Sequence, residues 1–181
     1  MAERILAGLK RVNRLVAILV GIMLLTCAAF VLADIVLRQV GSSFGGTDEI
    51  SGYAMAIATS WGMAFTLMEL GHVRIDLLRS RGGPKGRALF DLFSMLVLSG
   101  VVTLIAVKAW PVLERSLSMG SRANTPLETL LWTVHLPWFA GWVWFAAVAW
   151  LTFLAALALV AQGKFGASEA AIGAFGEEES A

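Results

Sequence analysis

The chain has 181 residues, a formal net charge of +1 and a hydrophobic fraction of 58%. Soluble domains usually hold an apolar fraction nearer half, and here the apolar residues form long uncharged runs, which excludes an ordinary soluble globule. The single cysteine, Cys27, excludes an internal disulfide and a multi-cysteine metal site.

Residues 4–14 place Ile5, Leu6, Leu9 and Val12 on one helical face and basic residues on the other. That pattern predicts an interfacial amphipathic segment over residues 1–14, with cations at the lipid headgroups. The uncharged run Leu15–Ala33 follows and predicts a first span over 15–37. It is longer than the hydrophobic region of a cleaved signal, so a retained anchor is expected. Asp34 and Arg38 at its end have the four-residue spacing of a local ion pair.

After a short glycine-rich loop, Thr47 is placed to cap a second helix over 49–70, with Asp48 and Glu49 complementing the positive end of its dipole. Inside it Gly52, Ala56 and Ser60 are spaced by four, as are Ala54, Ala58 and Gly62. Rows of small residues let helix backbones approach closely, either within the bundle or against a partner subunit. A charged connection then carries His72, Arg74, Asp76 and the break Gly82-Gly83-Pro84. Pro84 suits a helix start, and Arg87 and Asp91 repeat the ion-pair spacing.

The third span is expected over 86–108, continuing through Pro111 as a short helical extension into a loop. The fourth is expected over 136–160, with Trp132, Trp138, Trp142 and Trp144 as interfacial anchors at its head. Residues 162–181 are rich in Gly and Ala and end in Glu177-Glu178-Glu179, the composition of a disordered acidic tail. The fold class is therefore all-α, an integral membrane domain of four spanning helices over 15–161. Ten of the 14 basic residues fall before the first span, between the second and third, or after the fourth. The positive-inside rule then puts both termini and the second loop in the cytoplasm. It also accounts for the basic clusters without nucleic acid.

Enzyme and cofactor templates are absent: there is no GxSxG, HExxH, Walker loop or zinc-type cluster. His72 and His135 fall at opposite ends of the expected spans, about 30 Å apart, too far to ligate one haem iron. Asp34, Glu69 and Asp91 lie near helix ends rather than at the midplane where transporter cores hold their ionisable groups. No catalytic residue, metal site or cofactor is expected, and the chain reads as a membrane scaffold or accessory subunit. The rival reading is a stand-alone four-helix anchor of a redox or signalling complex.

The acidic turn ending in Glu49, the small-residue helix and the run Gly71-His72-Val73-Arg74-Ile75-Asp76 together resemble the small membrane subunit of tripartite ATP-independent periplasmic (TRAP) transporters, the DctQ type. The segment from Pro126 to Leu151 is similar to that family's closing aromatic stretch, proline and long helix. The resemblance spans about Leu15–Val160, although the turn lacks the aromatic residue often found before the Glu. It implies a bacterial inner-membrane complex in which a larger permease subunit holds the sodium and solute sites. A periplasmic solute-binding protein would deliver an organic anion such as a carboxylate or sugar acid. Two docking surfaces follow from it as expectations. Glu49, Gly52, Ala56, Ser60, His72, Arg74 and Asp76 would face the large permease, and Glu114, Arg115, Arg122 and Glu128 would receive the binding protein.

Overall fold

The computed structural model describes residues 1–72, 79 and 81–173. They form five helices: α1 (Ala2–Gln39), α2 (Thr47–Met68), α3 (Pro84–Ser118), α4 (Trp132–Ala161) and α5 (Phe165–Ile172). The only pairing of extended backbone among them is one isolated bridge between Arg122 and Leu130.

Side-chain contacts fix the arrangement of the four long helices. Asp34 meets Thr47 at one end of the α1–α2 pair and Lys10 meets Glu69 at the other, so these helices are antiparallel. Trp110 packs on Phe139 while the Trp150 indole N–H donates to Thr103, so α3 and α4 are antiparallel too. Trp61 donates to the Pro137 carbonyl and Thr152 lies against Met68, so α2 and α4 run parallel. The result is an open layer in the order α1, α2, α4, α3, in which the first half of α1 also packs on α4, as through Asn13 and Trp144, with α5 closing one end against α3 and α4. Ala64, Met95, Val148, Ala149 and Ala156 are fully enclosed at its centre.

The tightest crossing is between α2 and α4. A Cβ added at Gly141 would collide with Ser60 and with the ring of Trp61. Ser60 is itself fully buried, so neither side can give way. Glycine at 141 is thus what allows the two backbones to approach.

At one end of the layer Asp34, 1% exposed, gathers four groups. Its carboxylate accepts from Arg38 Nε (2.8 Å), the Ser43 hydroxyl (2.8 Å), the Phe44 amide (2.7 Å) and the Thr47 hydroxyl (2.9 Å). The expected Asp34–Arg38 pair is present, but it belongs to a larger clasp that joins the end of α1, the loop and the head of α2. Thr47 serves that clasp instead of capping α2, and the cap position is Gly46, left-handed at φ 67°.

At the other end Arg79 donates to both oxygens of Asp91 (2.8 and 3.1 Å) and to Glu169 of α5 (2.6 Å). Donation to Asp91, and then to Glu169, raises the pKa of this guanidinium above the usual arginine value against the opposing effect of burial. The expected Arg87–Asp91 pair is not formed. Arg87 instead donates to the Gly82 carbonyl and lies 3.7 Å from Glu169, because the bidentate Arg79 already occupies Asp91.

Several boundaries differ from expectation. Residues 1–14 and the first expected span lie on one continuous helix from Ala2. The extension of α3 exists and runs through Pro111 to Ser118, and α4 begins at Trp132, four residues earlier than expected. The stretch expected to begin a disordered tail contains α5, whose Ile172 is buried in the main core. The acidic run 177–179 lies outside the described residues. Three helices, α1, α3 and α4, are long and apolar enough to cross a membrane, rather than the expected four. Ser51, Gly52, Thr59, Ser60, Gly62 and Thr66 dilute the hydropathy of α2.

Two substitutions test this packing. Replacing Asp34 by Ala strands the Arg38, Ser43 and Thr47 donors and should cost about 1.5–3 kcal/mol, read as a lower thermal midpoint in detergent. Gly141→Val should cost about 1–3 kcal/mol by overpacking and should weaken engineered cysteine cross-links between α2 and α4.

Candidate docking surfaces

Glu49 sits in the first turn of α2, where its own sequence position favours a negative charge. Its Oε1 accepts a hydrogen bond from Tyr53 one turn on (2.7 Å). Thr125, Leu127 and Thr129 surround the same carboxylate, and its Oε2 is enclosed without a well-formed hydrogen bond. Glu49 therefore faces the 119–131 loop instead of standing free for a partner.

That loop is a compact turn tied across its base. The Ala123 amide donates to the Thr129 carbonyl, the Leu131 amide to the Ser121 carbonyl, and Arg122 to the Glu128 carbonyl (3.2 Å). Its tip rests on the head of α2, where a Cβ at Gly46 would collide with the side chain of Leu127. Gly46 thus meets two demands at once, a positive φ and a close approach.

The four residues expected to receive a periplasmic partner all lie at this end. Glu114 and Arg115 are exposed in the last turns of α3, and Arg122 and Glu128 are exposed on the loop. Among the described residues none of their side chains forms an ion pair. Beside them, Pro111, Arg115, Ser116, Leu131 and His135 line a depression of about 200 Å³.

The row expected to face a membrane partner is divided by the fold. Ser60 is consumed by the contact with α4, Ala56 is half-buried, and Gly52 is exposed. The open stripe of α2 is instead Asp48, Gly52, Met55 and Thr59, with open space over Gly52 and Gly62. Met55 is 64% exposed and is the only large apolar side chain on that stripe.

At the foot of α2 the helix ends through Leu70, left-handed at φ 56°, and the Gly71 amide donates to the Thr66 carbonyl. This reversal folds the chain back, and the His72 ring stacks on Phe145 at a centroid separation of 6.0 Å and 20°. His72 therefore packs on the buried face of α4 rather than presenting a solvated foot. Phe145 lies ten residues from His135 on one helix, about 15 Å, so the histidines are nearer than the expected 30 Å, though still too far apart to share an ion. Arg74 and Asp76 lie outside the described residues.

The Arg79–Asp91–Glu169 cluster and the Asp34 clasp were not expected as units. Their partners come from loops and from a helix 90 residues away, where sequence spacing carries no signal.

Gly46→Ala should destabilise the loop contact by more than about 1 kcal/mol, because alanine is strained at positive φ. Faster tryptic cleavage at Arg122 in the folded protein is the expected readout. Adding Leu127→Ala should relieve the collision but not the backbone strain, so only part of the protection returns.

The sequence pattern for "Tripartite ATP-independent periplasmic transporters, DctQ component" matches residues 27–159. No curated protein and no solved structure matches the chain. The matched region holds the last third of α1 and all of α2 and α3. It ends within α4 and leaves α5 outside.

Proposed function

Because this chain belongs to the DctQ component family of the tripartite ATP-independent periplasmic transporters, and so is a small permease subunit and not an enzyme, we propose that it works as the static scaffold of a sodium-coupled importer of an organic anion. The single observation that carries this reading is the family match over 27–159. Packing supports it: the buried Asp34, Asp91 and Asn13 side chains each tie one helix to another segment of the chain.

In this reading α2 is the fourth span. Its 22 residues reach about 33 Å, enough for a hydrocarbon core of about 30 Å, and α1 and α4 shield much of its polar content. Both termini lie in the cytoplasm of a bacterial cell, with the 119–131 loop in the periplasm, in keeping with the basic residues at the first end. The exposed stripe Gly52–Met55–Thr59 docks the large permease, which holds the solute and sodium. Arg74 and Asp76 add to that surface, while Ser60 and His72 support it from inside the bundle. Glu114, Arg115, Arg122 and Glu128 meet the solute-binding protein, where exposed charges of both signs favour steering over tight binding.

Reconstitution tests the scaffold role. The chain should co-purify with the large permease, and proteoliposomes lacking it should lose sodium-driven uptake; undiminished uptake without it sinks the proposal. Gly52→Leu should reduce co-purification at least tenfold, since the close approach is lost, with the chain's own thermal midpoint unchanged. If the same substitution leaves the complex intact, the docking face lies elsewhere.

A further inference from the structure

We propose that the first half of α1 carries a binding site for an anionic phospholipid, with the headgroup phosphate on Arg11 and Arg14 and an acyl chain along the helix beyond them. Ala7, Lys10, Arg11 and Arg14 line a shallow groove of about 260 Å³ on the face of α1 turned away from the bundle. The nearby charges are largely matched: Lys10 pairs with Glu69 at 3.1 Å, and Glu3 pairs with Lys164 at 3.2 Å. Arg11 and Arg14 are exposed, and among the described residues neither has a carboxylate partner. Two adjacent guanidiniums suit the tetrahedral oxygens of a phosphate diester better than one lysine would.

The second half of the argument is the helix register. Residues 11, 14, 18, 22 and 25 follow steps of three and four and therefore form one stripe of a continuous helix. Below the two arginines that stripe is Ile18, Ile22 and Leu25, exposed by 54%, 56% and 73%. From Arg14 to Leu25 is about 16 Å at 1.5 Å per residue, close to half of a hydrocarbon core of about 30 Å. Paired cations at the head of an apolar track one leaflet deep match an amphiphile with a net negative head. A zwitterionic lipid fits less well, since its own ammonium would meet the same cations. The site rests on the membrane reading above and uses residues outside the matched region, which begins at 27.

The test uses the purified full-length chain in neutral detergent, titrated with phosphatidylglycerol or phosphatidylcholine and read by native mass spectrometry. Phosphatidylglycerol should bind in preference, and the double variant Arg11→Gln/Arg14→Gln should bind it about tenfold or more weakly, given about 1 kcal/mol per basic residue. Arg115→Gln/Arg122→Gln, at the other end, should bind as the unaltered chain does. Arg11→Lys/Arg14→Lys should restore most of the binding, which keeps the test decisive if the Gln pair loses helix content by circular dichroism. Equal binding of the two lipids, or undiminished binding by the Gln pair, overturns the site. So does displacement by glycerol phosphate alone, which would mark a plain anion site. Neither co-purification nor uptake enters this assay, so its failure is distinguishable from failure of the scaffold role.

Discussion

A carboxylate enclosed in an apolar bundle must have its oxygens filled, and the fold depends on that requirement at both ends. Asp34 takes four donors from three successive pieces of chain, which fixes the angle at which α1 hands over to α2. Asp91 takes both arms of Arg79, and the same guanidinium reaches α5. A buried ion pair is weak evidence for net stability, because desolvation offsets the attraction. What these clusters supply is register: neither can form if a helix slides by a residue. Between them the helices are held by apolar contact, by the close approach at Gly141, and by indole hydrogen bonds from Trp61, Trp144 and Trp150 that reinforce the same register.

Local sequence spacing reveals pairs that lie on one helix but not those that arrive from elsewhere. Asp34–Arg38 was legible because both partners sit on adjacent turns of α1. Arg87–Asp91 has the same spacing and does not form, since Arg79 approaches from the connecting segment with better geometry. The two small-residue rows of α2 were visible, but spacing alone does not say which row meets α4 and which is open. Ser60 and Gly52 belong to one row and have opposite fates, because the contacts with α4 run from Ser60 to Met68 and leave the Gly52 turn open. α5 was missed because its Gly and Ala are ambiguous: a helix of eight residues does not hold alone, and it forms by burying Ile172 and engaging Glu169. The long helices were legible from hydropathy, although the polar residues of α2 dilute its signal.

The layered order α1, α2, α4, α3 suits an accessory subunit. A closed bundle hides its helices from other proteins, whereas a layer leaves broad faces for neighbours. The most apolar 18-residue stretch of α1 has no buried residue, while those of α3 and α4 are about a third buried or more. The subunit thus has an interior to its stability and an outer helix given over to its surroundings.

The hydrogen bond from Arg79 to Glu169 spans 90 residues of sequence, and this imposes an order on biogenesis. The four long helices are all synthesised before α5. Until then Arg79 lacks its contact with Glu169, and the core position later filled by Ile172 is open. The last turn of this end therefore cannot close until α5 has been made. A chain interrupted shortly after α4 would hold every long helix yet expose an apolar hollow beside an arginine deprived of its Glu169 contact.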